Sequence, residues 1–421
     1  MKILLVLHQF YPEFCGGTER VALNLAHAGQ KAGHAVQILA CTVSPTAAKA
    51  TPDDAFPGTF QTVYEGVPVT LIPRDALPAT ADISLEPSSA VVGQLAEWMT
   101  RNAFDVAHVL HTMRMGSAVA AMAKINLPYL VTLTDFFLPC FRINRINLDG
   151  QLCDGPEQGT RCAQDCLVGP WNSASLQQRY QMTCAFLNGA AVRICPSDYV
   201  AHFFRQAFDR LDFTVLPHGV DLVAAAATVA VEKSYPETIV LGYVGGIVPQ
   251  KGLDILLSAF KKVDSDRLRL EIIGGFFGDE HYQQQVRKLI DSDSRIHLVG
   301  RVEPHEVFSR LRQFDVLCLP SLVPESYSLV FQEAAAVGVP AVVSDLGAPA
   351  ERIRRDGGGA VAAAGDVDAW TRLIRSLLDS PALIGQWTEE IVLPLRLEEE
   401  GFLYESLYRQ MVFDSACGEQ G

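Results

Sequence analysis

The chain has 421 residues, 49% of them hydrophobic and 19% charged, a balance suited to a water-soluble globular protein with two cores rather than one. Its formal net charge of −14 argues against a general nucleic-acid binder, which needs an excess of Lys and Arg to neutralise phosphates. No apolar run is long enough to span a bilayer.

The first segment, Met1 to His8, looks at first like a secretory leader. Its apolar run is short, is followed by His8, Gln9 and Glu13, and lacks a small-residue cleavage site, so a buried strand over Ile3–Leu7 is expected. The protein is accordingly expected to be cytoplasmic, with peripheral contact to the inner membrane surface. The turn Phe14-Cys15-Gly16-Gly17 follows, and apolar Val21, Leu25 and Ala28 predict a helix from about Thr18 to Ala32. Gly33 ends it. Short apolar strands are predicted at Val36–Leu39, Val67–Ile72, Val106–Leu110, Tyr129–Leu133 and Val192–Cys195.

Composition changes after His218-Gly219-Val220-Asp221. A small-residue stretch, Ala224–Val231, and the polar Glu232–Pro236 read as a connection between domains. A second series then runs through strands at Ile239–Val244, Leu270–Ile273, Ile296–Val299, Val316–Leu319 and Ala341–Val343, with helices at Leu253–Val263 and Ser328–Val337. The tail from Thr388 to Phe413 reads as a helix kinked at Pro394. Strands alternating with helices imply α/β architecture with parallel sheets covered on both faces, twice over. Ligands of such sheets bind beyond the carboxyl ends of the strands.

Chemistry-bearing residues cluster at those ends. Glu325 and Glu333 bracket a Ser-containing turn, Pro324-Glu325-Ser326-Tyr327-Ser328, between a strand and a helix. Amides near Ser328, Leu329 and Val330 would be free at the helix start, a seat for a phosphate. Were the whole interval helical, the two carboxylates would lie about 12 Å apart, suited to gripping different parts of one elongated ligand. Taken alone, the pair could equally be a solvated loop acid and an ordinary first-turn acid. Lys251, between Gln250 and Gly252, is a point charge of the kind that neutralises a diphosphate, or a solvated surface lysine. Gly16 and Gly17 let backbone approach a ligand closely, or simply make the turn.

The segments Pro324–Glu333, Gly242–Gly252 and Gly16-Gly17 together resemble those of retaining family-four glycosyltransferases with the GT-B fold, and the resemblance runs over nearly the whole chain. It implies two Rossmann-like domains facing across a cleft: residues 1–215 on the acceptor side, a linker at 216–236, a donor-binding domain at 237–387, and a terminal helix within 388–421 crossing back to the first domain. It implies transfer of a sugar from a nucleotide-diphosphate sugar to a glycan or lipid-linked acceptor, with retention and without a catalytic metal, in envelope or exopolysaccharide assembly. Lys251, Glu325 and His111 would be the catalytic set. Gly16, Gly17, Gly246, Lys251, Arg301, Glu325, Ser328, Leu329, Val330 and Glu333 would bind the donor, and His111 and Asp135 the acceptor. Many relatives carry Arg where this chain has Gly246, and Arg301 is the candidate replacement. Where relatives have a second His, this chain has Leu110, with His111 beside it; His108 reads as a partly buried structural residue. Thr134 stands where relatives often have His, and His218 where they have Asn. A nucleotide-sugar 2-epimerase shares this architecture. A nicotinamide-dependent oxidoreductase is disfavoured, since no Gly-x-Gly-x-x-Gly with a following acid is present, and a non-catalytic sugar-nucleotide binder is disfavoured by the retained Lys251 and glutamates.

The core motifs do not account for a Cys-containing insertion, which resembles those of a bacterial subgroup of family-four enzymes. Four of ten cysteines, Cys140, Cys153, Cys162 and Cys166, lie in a polar, loop-like insertion at 139–170 with spacing Cys-x12-Cys-x8-Cys-x3-Cys. Cytosolic thiols are usually free and buried. Four so close in sequence, outside an apolar core, suit a structural zinc ion; an iron–sulfur cluster, disulfides or unliganded thiols are the alternatives.

Overall fold

Successive side chains of a strand point to opposite sheet faces, and that two-residue period distributes the apolar residues between the two faces of each sheet. In the computed structural model, which describes residues 1–167, 169, 171–228 and 238–418 (side chains of 416–418 excepted), the strands form two separate sheets. The nine-stranded sheet comprises β1 (Lys2–Val6), β2 (Ala35–Thr42), β3 (Thr51–Pro52), β4 (Phe60–Tyr64), β5 (Val67–Pro73), β6 (Val106–Val109), β7 (Tyr129–Thr132), β8 (Val192–Cys195) and β9 (Thr214–Val215). Its order is β3-β4-β5-β2-β1-β6-β7-β8-β9, parallel except at the β3-β4-β5 edge. The six-stranded sheet comprises β10 (Ile239–Val244), β11 (Leu268–Ile273), β12 (Ile296–Gly300), β13 (Val316–Leu319), β14 (Ala341–Ser344) and β15 (Gly359–Ala362). It is wholly parallel, in the order β12-β11-β10-β13-β14-β15. The chain thus has two Rossmann-like sheets.

In β13, Val316 and Cys318 pack into one apolar cluster with Leu253 and Phe260, while Leu317 and Leu319 join another with Phe331 and Phe314. The sheet is therefore buried on both faces, which is why its strands read as continuous apolar runs. In each sheet the strand order reverses direction once, between β1 and β6 and between β10 and β13. Loops diverge at such a point and leave a crevice beyond the strand ends.

Contacts divide the chain into two units, Met1–His218 with Leu397–Gly421, and Gly219–Arg396. Four local expectations need correction. Leu222–Ala227, expected to belong to the linker, forms a short helix, capped by Asp221 through its carboxylate on the Ala224 amide; residues 229–237 of the proposed connection lie outside the described residues. The tail is two helices, Ala382–Glu389 and Leu397–Gly418, with Pro394 in the non-helical stretch between them rather than at a kink. A proline there has no N–H to leave unbonded. The helix expected from Ser328 begins at Leu329. His108, expected to be half-buried, is fully buried.

The last helix belongs to the first unit through a buried polar seam. His218 Nδ1 lies 3.0 Å from Glu400 Oε1, with both side chains under 5% exposed. The Tyr408 hydroxyl is 2.7 Å from His108 Nδ1, and the Tyr404 hydroxyl is 2.9 Å from Thr132 Oγ1. Burial and nearby His218 push the His108 imidazole down to about 3, so it is neutral in the folded chain. Unfolding frees it to protonate below its ordinary pKa, so its contribution to stability is lost as pH falls from about 6.5 towards 3.

Candidate active site

In the second unit the site residues sit on the loops leaving β10 and β13, the two strands that flank the reversal. A turn at Pro249–Lys251 presents Lys251, and Gly252 at φ +62° feeds helix α2 (Leu253–Lys261), α1 being Gly17–Lys31 in the first unit. The loop after β13 is laced to this turn, since Leu322 N–H donates to the Gln250 carbonyl at 2.8 Å. Lys251 Nζ reaches Glu325 Oε1 at 2.6 Å, and Ser321 Oγ donates to the same oxygen at 2.5 Å. The Lys251 side chain is 37% exposed and that of Glu325 14%. Burial resists the charge on Glu325, but the ammonium and the hydroxyl outweigh it and hold the carboxyl below the usual range. This attraction is present in full above the ordinary carboxylate pKa and is lost as pH falls through the lower folded value.

Glu325 is also held through its backbone. It forms a parallel bridge with Gly347, and its carbonyl accepts from Ala348 N–H at 2.8 Å. Gly347 is at φ +81°, and a Cβ there would lie 2.4 Å from the Glu325 nitrogen, so only glycine fits. The interval between the two glutamates is not one helix. Ser328 adopts φ +67°, ψ 92°, and helix α3 (Leu329–Ala336) starts after it. Glu333 therefore lies on the helix and Glu325 on the loop before it, which corrects the helical spacing expected from sequence. A left-handed serine costs on the order of 1–3 kcal/mol and persists where surrounding contacts impose it. Its effect is to swing the chain so that the amides of the first helical turn, which by helix geometry lack intrahelical partners, open beside the Glu325 loop. Ser328, Leu329, Val330 and Glu333 are half-buried.

Gly246 and Arg301 both touch one ring. A Cβ on Gly246 would lie 3.5 Å from Phe277, and the Arg301 guanidinium carbon lies 5.6 Å from that ring's centre. The exposed Arg301 thus lies on the same ring as Gly246. Gly252→Ala tests how tightly the Lys251 turn is built. A Cβ at Gly252 would sit 2.1 Å from the Pro320 carbonyl oxygen at a strained φ. The variant is expected to lose thermal stability and more than half of its turnover; an unchanged melting curve and rate would contradict the packing.

In the first unit, His8 follows β1, His111 follows β6 and Asp135 follows β7. His111 Nε2 lies 2.7 Å from Asp135 Oδ2, and Met113 N–H donates to His111 Nδ1 at 3.1 Å. That network assigns the ring proton to Nε2. Both ring nitrogens therefore have protein partners in this arrangement. Burial opposes the charge on Asp135, but His111 and the Phe137 amide hold its carboxyl below the usual range.

Three residues without an assigned role in the sequence reading converge here. The His8 and His111 rings lie 3.9 Å apart, and His8 Nε2 is 3.9 Å from Glu19 Oε1 in the first turn of α1. Glu19 is buried, which raises its carboxyl pKa, although its own amide, Gln9 and Gly16 bond to it. Glu19 Oε1, His8 Nδ1 and Arg114 Nη1 are buried without a hydrogen-bond partner among the described residues. Gly16 and Gly17 enter the same helix start, so the glycine turn borders a polar cluster. Only the acid directly after Gly-Gly-Thr signalled this in sequence, because the strands that bring His8 and Arg114 close are far apart in the chain.

Two family models cover nearly all of this architecture: Glycosyltransferase Family 4 matches residues 15–223, and Glycosyl transferases group 1 matches residues 227–391. The chain is a family-four glycosyltransferase. This transferase is 25% identical over 376 residues to the phosphatidyl-myo-inositol mannosyltransferase of Mycobacterium leprae, covering 87% of this chain and 85% of that one. It is 28% identical over 201 residues to a GDP-mannose-dependent monoacylated alpha-(1-6)-phosphatidylinositol monomannoside mannosyltransferase of Corynebacterium glutamicum; that match takes in 44% of this chain and about half, 52%, of the relative. Among solved structures, the transferase shares its fold with sucrose-phosphate synthase from Thermosynechococcus elongatus (TM-score 0.69, 19% identity, 97% and 98% of the two chains). It also shares it with Anabaena Alr3699/HepE in complex with UDP-glucose (TM-score 0.63, 16% identity, 99% and 100%). The fold is GT-B. No helix among the transferase's described residues is long and apolar enough to cross a membrane.

Proposed function

We propose that this enzyme transfers a hexose from a nucleotide-diphosphate sugar to a glycan or lipid-linked acceptor, with retention at the anomeric carbon, in cell-envelope or exopolysaccharide assembly. The observation that carries the reading is the Lys251–Glu325 pair beside the opening turn of α3. In this reading Lys251, Arg301 and the amides of Ser328, Leu329 and Val330 stabilise the negative charge that grows on the departing diphosphate. The hydrogen bonds from Lys251 and Ser321 both fall on Oε1 of Glu325, which leaves Oε2 as the acceptor for a sugar hydroxyl. Glu333 holds the ribose. Gly16, Gly17 and Gly246 are assigned to the donor by family resemblance.

The chemistry needs no carboxylate nucleophile from the protein: the leaving diphosphate takes the proton of the incoming hydroxyl as the new glycosidic bond forms, and no divalent metal takes part. Asp135, oriented by His111, binds an acceptor hydroxyl. The relatives named for mannosyl transfer to phosphatidylinositol make GDP-mannose the first donor to try, and a lipid at the inner membrane surface the first acceptor.

The test is a melting-temperature screen with UDP-, GDP-, ADP-, TDP- and CDP-sugars, because a ligand at a hundred times its Kd adds about 2.7 kcal/mol to the native state. One nucleotide should raise the midpoint clearly above the others. If none does, the donor reading fails. Incubating the selected donor without an acceptor then separates transfer from 2-epimerisation, since an epimeric sugar nucleotide would accumulate only in the second case.

A further inference from the structure

The insertion after β7 is held partly by the buried Arg145, which donates to the Cys153 carbonyl and the Tyr199 hydroxyl and lies over the Phe203 ring. Its satellite core consists of Phe141, Cys166 and Leu176, with Ile83, Cys162, Ala163 and Trp171 partly buried against them. It also contains turns, a short antiparallel bridge at Ile146 and Leu152, and the short helix Thr160–Asp165. Cys140, Cys153, Cys162 and Cys166 nevertheless all line one small cavity of ≈ 10 Å³, walled by Phe141 and Phe203. That is room for about one atom-sized occupant. All four are free thiols.

Backbone donors already point at two of the sulfurs. Gly155 N–H donates to Cys153 Sγ at 3.4 Å, and the amides of Arg142 and Arg145 bond Cys140. Amide hydrogen bonds to sulfur are the outer shell that orients a metal-bound thiolate. Residues in left-handed conformation, Ile143 at φ +67° and Arg145 at φ +58°, make the turn that aims those amides. The side chains ring the cavity without converging, and among the described residues no three His, Cys, Asp or Glu groups are close enough to share an ion. The four cysteines nevertheless share that one cavity, and the shared lining is the observation on which a common ligand rests.

We infer that the four thiolates close on a single zinc ion as a structural site, each sulfur about 2.3 Å from the metal. Binding releases four thiol protons and forms four zinc–sulfur bonds, with no change in oxidation state. An all-cysteine site has no open position for substrate, so its work is mechanical. The same stretch positions the acceptor side. The buried Arg179 guanidinium, from the helix Ser173–Gly189, donates to the carbonyls of Phe137, Leu138 and Ile83, and Phe137 N–H donates to Asp135 Oδ1 at 2.9 Å. Closing the cysteine loop therefore fixes the segment that begins at Asp135.

The experiment is metal analysis of the untagged full chain grown with added zinc. About one zinc per chain is expected, with loss of it and a lower melting temperature in Cys162→Ser/Cys166→Ser; Cys184→Ser, outside the cavity, keeps its zinc. Should the double variant not fold, a mercurial titration of the native protein decides the matter: zinc should appear on a metallochromic dye as about four thiols react. Less than half an equivalent of zinc in the native chain, iron with visible charge-transfer absorption in its place, or release of zinc uncoupled from those thiols overturns the proposal.

Discussion

Lys251→Ala is expected to lower kcat/KM at least tenfold, about 1.4 kcal/mol of lost transition-state stabilisation or more, with the fold intact. Two separate losses combine in that number. The diphosphate loses its point charge, and Glu325 loses the ammonium 2.6 Å away that keeps it ionised in a largely buried place. Glu325→Ala should produce a loss of similar size by removing the sugar contact and leaving Lys251 without its anchor. Because each change already breaks the shared contact, the double variant should fall short of the product of the single effects by a factor that reports coupling of roughly 0.5–3 kcal/mol. Steady-state kinetics with the donor found by the melting screen measures all three. Near-normal turnover in both single variants would contradict the site; strict multiplicativity would contradict the pairing. Salt should weaken little of this coupling, since a partly buried pair is poorly screened.

The second large effect is on stability. Glu400→Ala should destabilise the first unit by about 1–3 kcal/mol, the usual consequence of removing one partner of a buried hydrogen bond. His218 and Glu400 are both nearly inaccessible, and the helix they anchor, Leu397–Gly418, also supplies the hydroxyls of Tyr404 and Tyr408 to Thr132 and His108. Losing the pair should loosen all three contacts. Phe402→Ser is the control on the same helix: its side chain is 68% exposed, and exposed substitutions usually change stability by no more than about 0.5 kcal/mol. Urea unfolding monitored by fluorescence, with limited proteolysis of the tail, compares the two. A Glu400→Ala midpoint equal to that of the native chain would mean that the seam contributes nothing.

Acid should act on the same seam. The neutral, buried His108 sits between Tyr408 and Thr132, and unfolding lets it take up a proton.

What could be read from the sequence alone was local and repetitive. Apolar runs such as Ile239–Val244 and Val316–Leu319 coincide with β10 and β13, because a strand buried on both faces must be apolar throughout. The amphipathic spacing of Val21, Leu25 and Ala28 marked α1, and the place of Lys251 and Glu325 after strand ends followed from the rule that α/β sheets bind ligands there. The tertiary structure decided everything that depends on residues far apart in the chain. Lys251 and Glu325 meet because β10 and β13 are neighbours in the sheet. His111 turned out to have both nitrogens engaged, since Asp135 leaves the adjacent strand β7 beside it. His8, Glu19 and Arg114 form a cluster that no spacing announces. Ser328 broke the helical interval between the two glutamates through a left-handed backbone that its residue type does not favour. Periodicity records which face of an element is apolar; which polar groups come to face one another is fixed by strand order and loop path, and these are properties of the whole fold.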